Sequence, residues 1–519
     1  MGRTKYEPPV PGRTFTIMSN EDREKGKKSC WPELSIGGSG VHVKKIAPEI
    51  FSYKQLTAIH FQDNKIERIP PEIVQLPLLQ YLNFDNNRIS VIPDEICDMV
   101  ELRFLSFKNN KLSAIPQEIG RLFQLTTFNL EGNVGLPMDI ISATKSGLSG
   151  FLQFMLERLN FTATHPPQRP WVTLHSPQRN VPTALFTVMN YNVLSDSYCN
   201  RQVYGYCPSW ALHWDYRKKG ILEEIRHYSA DIICLQEVEF KQYADFFRAE
   251  LQKDGYNGMH FSKSRAQIAA TNMEAEKVDG CAIFWRDNKK IAVGSSKLGV
   301  DNMINRVQTK DNIGVCLLLE TKEAVWDVNN LPKGESVKKH VVVTNTHITW
   351  DPEYSDVKLI QTIMLMNEID SFVEQRLGPG SKPPLIICGD FNSLPESGVC
   401  EFLTKGRIAA NHKEFKECDY SKVLEYFSSG SKLDKQATHP YQLRSAYSMD
   451  HMPFTNYTYD FKGVIDYIFH NRQLKALGLL GQLDPNWFAD NKVIGCPHPH
   501  VHSDHLSLLV EFEISAGDY

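Results

Sequence analysis

A leucine recurs every 23 residues in the first third of this chain, at Leu56, Leu79, Leu102 and Leu125. A fixed period of this length indicates a solenoid, because each repeat can bury its apolar face only against its neighbours. In every unit further apolar residues follow three and five places after the leucine, and an asparagine follows eight places after it. The alternation predicts one short strand per repeat, and the asparagine predicts hydrogen bonds to the bend behind that strand.

This pattern is that of the leucine-rich repeat, with an I-P-x-E-I stretch on the convex side. About four repeats are close to the minimum for stability, so the ends need caps. The segment Ser146–Leu159 has the apolar spacing of an amphipathic helix and is predicted to be the C-terminal cap, with a helix of the next domain as the alternative. Strand positions not needed for the core are expected on the concave face: His60, Gln80, Tyr81, Asn83, Arg103, Phe104 and Thr127. Exposed aromatic and arginine side chains there favour a protein partner, with Tyr81, Phe104 and Arg103 as the contact residues.

The chain has 519 residues, which predicts two or three domains. Residues 1–50 contain the basic cluster Arg23–Lys28 and are expected to be a partly disordered extension. Residues 51–160 form the repeats and their cap. Five prolines between His165 and Pro182 predict a linker over 161–180. Residues 181–519 alternate short β-type runs with helical stretches, which predicts an α/β layered domain.

Composition excludes several classes of protein. The formal net charge is −4, so any contact with nucleic acid must come from a local cleft and not from an overall basic field. No apolar run approaches the ~20 residues that span a bilayer, and no membrane contact is expected. The 11 cysteines contain no C-x-x-C pair. A reducing compartment is therefore expected, the cytoplasm with the nucleus as an alternative.

Polar side chains stand within or directly beside the β-type runs of the second domain. They are Asn190, Asn192, Glu237, Asn345, His347, Asp390, Asn392, Asp466, Asp504 and His505. Active sites of sheet-based folds gather at strand ends, and several carboxylates in one cleft require a hard cation. Oxygen ligands without thiolates favour magnesium or manganese. Any one of these residues could be a cap or a turn residue, so the argument depends on the ordered set.

That set, N then QE, TH, GDFN, DY and SDH, resembles the endonuclease/exonuclease/phosphatase superfamily across 181–519. The resemblance implies a two-sheet α/β sandwich and metal-assisted hydrolysis of phosphoesters. The longer stretches THITWDPEYSDVKLIQT, TNYTYDFKGVIDYIF and GCPHPHVHSDH resemble the carbon-catabolite-repression deadenylases, the nuclease subunits of the Ccr-Not complex. With the repeats in front, and with KYEPP and TIMS near the start, the likeness covers nearly the whole chain.

This likeness implies a magnesium-dependent 3′-to-5′ exoribonuclease that shortens the poly(A) tails of mRNA and releases AMP. Its implied roles are mRNA turnover and translational repression. The implied partners are the 3′ ends of poly(A) RNA and a second deadenylase subunit of the complex, which the repeats would dock onto.

The same likeness assigns the hydrolytic residues position by position. Glu237 is implied to be a magnesium ligand, and Asn192 and Asp504 are implied to hold metal or the scissile phosphate. Two magnesium ions are expected, with manganese as an alternative. Asp390 is implied to activate the attacking water, and Asn392 to orient the phosphate.

The remaining assignments concern charge and base recognition. Asp466 is implied to orient His505, whose charged ring would stabilise the pentacovalent phosphorane, and His347 would act likewise from another side. Pro352 and Phe461 match the residues that sandwich adenine. Stacking alone tolerates any base, so a preference for adenine needs edge contacts as well.

One departure and three alternatives accompany this reading. Thr349 stands where the deadenylases usually have a second histidine, which predicts an altered rate or substrate grip and not inactivity. A zinc cluster is the alternative for the tail residues Cys496, His498, His500, His502 and His505. A scaffold that has lost its chemistry, or a phosphatase or phosphodiesterase acting on another phosphoester, would also fit the fold.

Overall fold

The computed structural model describes residues 32–36, 42–159, 164–178, 182–287, 290–298, 312–322, 338–415 and 436–515. The chain divides into two compact units, one of Met1–Ala163 with Arg201–Leu212 and one of Thr164–Asn200 with His213–Tyr519. The basic cluster Arg23–Lys28 and the KYEPP and TIMS stretches lie outside the described residues. Among the described helices, none is both long enough and apolar enough to cross a membrane.

The first unit contains one parallel sheet with its strands in sequence order: Glu33–Ser35, Ala58–His60, Tyr81–Asn83, Phe104–Ser106 and Thr127–Asn129. The I-P-x-E-I stretches form short 3-10 helices after the strands: Pro71–Gln75, Asp94–Asp98 and Gln117–Arg121. The helix Pro48–Ser52 is their counterpart in the first repeat. The leucine-rich-repeat solenoid predicted from the 23-residue period is confirmed.

Buried asparagines join the repeats to one another as predicted. The Asn87 side-chain amide donates to the carbonyls of Phe61 at 2.8 Å and Phe84 at 3.0 Å, and its Oδ1 accepts from the Ile66 amide at 3.0 Å. Three further asparagines, one per repeat, make equivalent bonds: Asn64, Asn110 and Asn133. Each amide therefore satisfies backbone groups of its own and the preceding repeat, which would otherwise be buried without partners.

The solenoid starts earlier than the predicted boundary at residue 51. The strand Glu33–Ser35 pairs in parallel with Ala58–His60, and Leu34 lies opposite Ile59 in the repeat core. The boundary was wrong because Leu34 precedes Ile59 by 25 residues, whereas the later units repeat every 23. The first repeat is thus two residues longer than the others, so Leu34 does not fall on the constant 23-residue period.

Two helices, Met138–Thr144 and Gly147–Glu157, follow the last strand of the solenoid. Phe151, Leu152 and Met155 on the second helix join the core of the repeats. The helix therefore covers the apolar end that the last repeat would expose, which is the role of a cap.

The segment Arg201–Leu212, which ends in the short helix Ser209–Leu212, belongs to the first unit and not to the nuclease domain predicted over 181–519. The ring of Tyr206 meets Phe123 edge-on with centroids 5.5 Å apart. Arg201 also donates to the Gln153 side chain. Burial of the aromatic side chain places this segment with the first unit, although its neighbours in sequence belong to the second. No sequence motif in the segment indicates this packing.

The second unit contains two main sheets. The strands of the first sheet are, in spatial order, Trp171–Thr173, Lys475–Leu480, Leu508–Ser515, Thr183–Asn192, Ile232–Glu239, Asp279–Arg286 and Tyr256–Ser262. The strands of the second sheet are Lys290–Leu298, Ile313–Thr321, His340–His347, Leu385–Asp390, Asp466–His470 and Arg444–Ser445. Two small ribbons pair Arg407–Ala409 with Gln436–Thr438 and Asn456–Tyr457 with Lys462–Gly463.

Helices lie outside the two sheets. The helical segments of the second unit are Trp214–Tyr228, Phe240–Gln242, Tyr243–Phe247 (a π-helix), Arg248–Lys253, Ser264–Gln267 (3-10), Asn272–Glu276, Pro352–Tyr354 (3-10), Ser355–Leu377, Gly398–Lys405, Lys413–Phe415 (3-10) and Pro485–Asp490. The central core joins residues of both sheets, such as Ile232 and Ile386. Further cores lie under Trp214–Tyr228 on the first sheet and under Ser355–Leu377 on the second. The predicted two-sheet α/β sandwich is confirmed.

The proline-rich segment 161–180 is not only a linker. Its Trp171–Thr173 forms the edge strand of the first sheet, antiparallel to Gly478–Leu480, and Arg169 donates to the carbonyls of Gly481 and Ser507, both at 2.7 Å. Prolines are tolerated beside an edge strand because one side of such a strand needs no donors. The prolines therefore led to the prediction of a linker, although they are compatible with an edge strand.

Candidate active site

Polar residues from both sheets meet at one edge of the sandwich. Asn192 and His347 end strands of the first and second sheets, and Asp390 ends the strand parallel to that of His347. Asp466 begins the next strand and lies opposite Asp390 in antiparallel register. The strand ends that the sequence pattern singled out are therefore brought together.

A β-bulge directs Glu237 into this site. The pairing of Ile232–Glu239 with Asp279–Arg286 shifts register between Gly280 and Ala282, so two residues of one strand face one of the other. Glu237 lies in this bulge with a φ of 59°, a left-handed conformation that costs energy for a residue with a side chain. Its Oε2 accepts from the Ser195 amide at 3.0 Å.

Asn192 connects two carboxylates from different sheets. Its side-chain Nδ2 donates to Glu237 Oε1 at 3.1 Å and to Asp390 Oδ2 at 3.0 Å, and Asn192 is fully buried. Burial raises the pKa of Glu237, with the charges of Asp279 and Asp504 adding to the effect. Burial and the neighbouring charge of Asp466 raise the pKa of Asp390 to about 7. Two such carboxylates retain charge at neutral pH most readily with a cation between them.

His505 and Asp466 form a charged pair within the site. His505 Nδ1 lies 2.8 Å from Asp466 Oδ2, and both residues are buried. Burial alone would lower the pKa of His505, but the charges of Asp466 and Asp504 overcome it and hold that pKa well above its usual value. The ring is therefore an imidazolium, and its Nε2 lies 3.7 Å from Asp390 Oδ2.

His347 is held in the opposite charge state. Burial lowers its pKa well below the usual value, and the positive charge of Lys263 lowers it further. His347 Nε2 lies 3.7 Å from Asp390 Oδ2, and its Nδ1 is buried without a hydrogen-bond partner in the protein. Asp466 Oδ1 is a second buried atom without a partner. Unsatisfied buried atoms at one site indicate that a ligand, ion or water completes it.

Two groups of side chains among the described residues could hold a metal ion. They are Glu237 with His347 and Asp390, and Asp390 with Asp466 and His505, and the candidate ligand atoms of each group lie within 4.8 Å of one another. The first group fits a hard divalent cation better, because it brings two carboxylates together with a neutral histidine. The second fits less well, because Asp466 already engages a charged imidazole.

Asp504 is in neither of the two groups found in the described part of the chain. Its Oδ2 accepts from the side-chain Nδ2 of Asn456 at 3.3 Å, and its Oδ1 lies 4.0 Å from His505 Nε2. The charge of Asp504 also contributes to the raised pKa of Glu237. Asp504 therefore lies beside the charged ring of His505, and its role as a metal ligand stays a prediction.

Asn392 continues the site beyond Asp390. Its backbone amide donates to Asp390 Oδ1 at 2.8 Å, its side chain donates to the Ile348 carbonyl at 3.1 Å, and its φ is 46°. The Lys358 ammonium donates to the carbonyls of Asn392 at 2.6 Å and Trp350 at 3.3 Å. Lys358 therefore ties the loop of Asn392 to the loop that leads to Pro352, a contact that the sequence did not reveal.

The two residues matched to adenine stacking are both at the surface. Pro352 is exposed at the start of the short helix Pro352–Tyr354. Phe461 is 37% exposed and belongs to none of the hydrophobic cores of the described residues, which disfavours the view that its ring is a core residue. A Cβ added to Gly463 would lie 2.8 Å from the Phe461 ring and 3.1 Å from Leu394, so that ring lies over Gly463.

Comparison with known proteins agrees with this geometry. Residues 189–505 match the Endonuclease/Exonuclease/phosphatase family, and residues 54–112 match the leucine rich repeat. The chain is 50% identical over 539 residues to the CCR4-NOT transcription complex subunit 6-like-B of Xenopus laevis, covering 99% of this chain and 97% of that protein. The chain belongs to the Endonuclease/Exonuclease/phosphatase family, among the CCR4-NOT subunit 6-like proteins. The resemblance drawn from the motifs is confirmed.

More distant relatives match about two thirds of the chain. The CCR4-Not complex 3′-5′-exoribonuclease subunit Ccr4 of Schizosaccharomyces pombe is 39% identical over 365 residues, 63% of this chain and 49% of its own length. The solved structure of ANGEL2, a 2′,3′-cyclic phosphatase, is 27% identical with a TM-score of 0.54, covering 67% of this chain and 99% of that one.

Thr349, which departs from the family's histidine, is a buried structural residue. Its amide and hydroxyl both donate to Gln361 Oε1 at 3.0 Å, and its hydroxyl lies 2.7 Å from Asn312 Oδ1. Asn312 in turn donates to the His347 carbonyl at 3.0 Å. Thr349 therefore supports the strand end that carries His347.

The tail residues considered for zinc do not form a group of ligands. Neither of the metal-binding groups found in the described residues contains Cys496, His498, His500 or His502. The His502 ring instead lies against Gly220, where an added Cβ would come within 2.0 Å of it. Burial lowers the pKa of His502 to about 4. Of the five, only His505 belongs to one of the two groups of possible metal ligands found in the described residues.

Two of the residues that the sequence singled out have a structural role instead. Asn190 and Asn345 are fully buried, and Gln236 Nε2 donates to the Oδ1 atoms of both, at 2.7 Å and 2.6 Å. Asn345 Nδ2 donates to the carbonyls of Leu235 and Ala282, both at 2.9 Å. These amides join the two sheets of the family fold just below the catalytic edge.

The concave positions of the repeats form a stack of rings. The Tyr81 and Phe104 rings stack with centroids 4.2 Å apart, and the His60 ring lies 4.7 Å from Tyr81. The Arg103 guanidinium donates to the Gln124 side chain. Tyr81 is only 9% exposed, less than expected of an open aromatic, because its neighbours cover both faces of its ring. Its role in binding a partner stays a prediction.

Proposed function

We propose that this chain is a magnesium-dependent 3′-to-5′ exoribonuclease that shortens poly(A) tails, releases AMP and acts as the catalytic subunit of a CCR4-NOT-type complex in mRNA turnover. The observation that carries this proposal is the site at which Asn192 joins Glu237 to Asp390 beside the His505–Asp466 pair. The similarity to CCR4-NOT subunits along 99% of the chain supports the choice of substrate.

Glu237 and Asp390, with Asn192 and His347 beside them, are the residues that would hold the divalent cation. The bound cation supplies neutralisation of phosphate charge in the transition state. In its absence both carboxyl groups have a raised pKa, chiefly because they are buried, and a bound cation would favour their charged forms. Magnesium is proposed because the donors are mainly carboxylate oxygens, and manganese is the alternative.

Asp390 is the proposed general base. A cation beside Asp390 would lower its pKa below the metal-free value of about 7, so the carboxylate is ionised at neutral pH and can accept the proton of the attacking water. The Asn392 amide and the Asn192 side chain each donate to one of its oxygens, so the carboxylate is fixed in orientation. Attack of water on the phosphorus then expels the 3′ oxygen of the penultimate nucleotide. The terminal nucleotide leaves as AMP.

His505 and His347 serve the phosphate in different ways. The imidazolium of His505 places a positive charge beside the phosphate oxygens that gain charge in the transition state. Neutral His347 offers hydrogen bonding without adding charge. Phe461 and Pro352 are proposed to stack on the terminal adenine, and the repeats to bind a second deadenylase subunit. Activity is proposed in the cytoplasm, with the nucleus as the alternative.

The test uses the full-length chain with 5′-labelled RNA ending in oligoadenosine and a free 3′ hydroxyl. With magnesium we expect a ladder that shortens from the 3′ end, and with chelator none. Glu237→Gln should lower the rate at least about 100-fold, as the loss of transition-state charge stabilisation does. Glu401→Gln, which removes a carboxylate paired with Lys405 on the surface, is the matched control and should leave the rate unchanged.

A phosphatase acting on 2′,3′-cyclic ends is the second candidate, favoured by the structural similarity to ANGEL2. The same RNA ending in a 2′,3′-cyclic phosphate separates the two. Loss of the terminal phosphate without shortening would favour the phosphatase. Full activity of folded Glu237→Gln would contradict both.

A further inference from the structure

The ammonium of Lys358 is bonded to two loops of the candidate active site at once. It donates to the Asn392 carbonyl at 2.6 Å and to the Trp350 carbonyl at 3.3 Å. Asn392 is the residue proposed to orient the phosphate, and Trp350 stands two residues before Pro352, which is proposed to stack on the terminal adenine. One side chain therefore joins the loop that serves the phosphate to the loop that serves the base.

Packing alone does not account for a lysine at this position. Lys358 is only 6% exposed, and it forms no ion pair with any of the described residues. Burial lowers its pKa to about 8, although the charges of Asp390, Asp351 and Glu414 act in the opposite direction. The ammonium is still charged at neutral pH, at a cost in free energy that an apolar side chain would avoid. What the lysine adds over an apolar residue is its two bonds to backbone carbonyls.

Asn392 needs such contacts because its backbone is in the left-handed region, with a φ of 46°. A residue with a side chain keeps this conformation only where its surroundings hold it. Three bonds do so here: its amide donates to Asp390 Oδ1 at 2.8 Å, its side chain donates to the Ile348 carbonyl at 3.1 Å, and its carbonyl accepts from Lys358. Removing the Lys358 ammonium would therefore release one of the three contacts that fix this residue.

The loop of Asn392 also borders the second stacking residue. A Cβ added to Gly463 would lie 2.8 Å from the Phe461 ring and 3.1 Å from Leu394, so both side chains cover the same glycine. Leu394 follows Asn392 by two residues. This loop therefore borders Phe461 on one side and is bonded through Lys358 to the loop of the other stacking residue.

We propose that Lys358 is a positioning residue that couples stacking of the terminal base to orientation of the scissile phosphate. A base held between Pro352 and Phe461 fixes the stacking loops, and the Lys358 bonds pass that constraint to Asn392 beside the phosphate. Binding energy from a part of the substrate that does not react can raise kcat in this way. The preference for adenosine is then expressed in kcat and not only in KM. This inference rests on the proposed exoribonuclease function.

The test is a double-mutant cycle of Lys358→Met and Phe461→Ala in the full-length chain, with hexaadenylate and magnesium. Lys358→Met keeps an unbranched side chain without its donors. It should lower kcat about 10-fold with a smaller change in KM, within the range of coupling in one hydrogen-bond network. Phe461→Ala alone should lower kcat about 10-fold, as the loss of one stacking contact does. In the Lys358→Met background it should lower kcat less than about 2-fold, because the link that transmits stacking is already absent.

Lys54→Met is the matched control, because Lys54 also donates to two backbone carbonyls, those of Phe51 at 3.1 Å and Gln75 at 2.9 Å, in the first unit. It should change neither kcat nor the effect of Phe461→Ala.

Equal factors for Phe461→Ala with and without Lys358→Met would overturn the coupling, and so would an unchanged kcat of Lys358→Met. Lys358→Gln repeats the cycle with a second side chain, so the comparison does not depend on one variant folding. Loss of the folded state in both, measured by circular dichroism, would make Lys358 a structural residue and overturn the proposal. Failure of the unmodified chain on hexaadenylate would instead reject the exoribonuclease function.

Discussion

Asp390→Asn should make the metal-free protein more stable above neutral pH, although it removes the proposed general base. Asp390 is 1% exposed, and burial together with the charge of Asp466 raises its pKa from 3.8 to about 7. The folded protein therefore holds a proton that the unfolded chain releases. In the metal-free protein this site therefore lowers stability.

The sign and size of the effect follow from the two pKa values of Asp390. Below pH 3.8 the carboxyl is protonated in both states and pH has no effect through it. Between that value and pH 7 only the unfolded chain is ionised, so stability falls by about 1.4 kcal/mol per pH unit. The loss is on the order of 1 to 2 kcal/mol at pH 5 and reaches about 4 kcal/mol above pH 7, where it stops growing.

The asparagine variant escapes this loss but gives up a hydrogen bond. Its carbonyl oxygen can still accept from the Asn392 amide, whereas its NH₂ group would face the Asn192 Nδ2 donor. Losing that bond costs about 1.5 kcal/mol. At pH 5 the gain and the cost cancel, so the variant should match the unmodified protein. At pH 8 it should be more stable by about 3 kcal/mol, or about 4 °C in Tm for a unit of roughly 340 residues.

Thermal unfolding of the full-length chain in chelator, at pH 5, 6, 7 and 8, measures this difference. Asp390→Glu is the control, because it keeps an ionisable carboxyl at the position and should retain the fall in stability between pH 5 and pH 7. A Tm difference between Asp390→Asn and the unmodified protein that stays the same at every pH would refute the reasoning. It would mean that burial does not raise the pKa of Asp390.

Two further predictions concern the substrate base and the partner. Phe461→Ala should reduce the ratio of cleavage rates on oligo(A) and oligo(U) by about one stacking interaction, ~1 to 3 kcal/mol, and Gly463→Ala should have a similar effect because its Cβ would displace the ring; an unchanged ratio in both would remove Phe461 from base recognition. Tyr81→Ala with Phe104→Ala should abolish capture of the second deadenylase subunit without changing the rate on free oligo(A), and retained capture would place the interface elsewhere.

The repeats could be predicted because their physics is local and periodic. Leu82 and Leu105 recur at the spacing that stacks one strand on the next, and the structure places them side by side. The strand of Leu34 was not predicted because its repeat is two residues longer. The strand of Trp171 was not predicted for another reason. Trp171 pairs with Leu480, 309 residues later, and nothing in the sequence around it indicates that partner.

The sequence predicts most of the residues that meet at this edge of the sandwich, but only part of what each of them does. Asp390 and His347 end strands, so their place at the edge follows from the β-type runs before them. Lys263 and Asp279 could not be identified, because each stands alone in an ordinary segment and they meet only through strand pairing. The altered rate or substrate grip expected from Thr349 stays a prediction, and the contact of its hydroxyl with Asn312 could not be identified from the sequence.

The Gln236–Glu237 motif combines two separate functions. In Gln236–Glu237 the amide joins Asn190 of its own sheet to Asn345 of the other, and the carboxylate turns into the site through the bulge. A buried amide network of this kind is costly unless its partners are in place, so it favours one register of the two sheets. That register is what brings Glu237 of the first sheet to within ligand distance of Asp390 of the second. A substitution such as Gln236→Leu should therefore impair catalysis without touching a group that contacts phosphate, because it frees the sheets to shift.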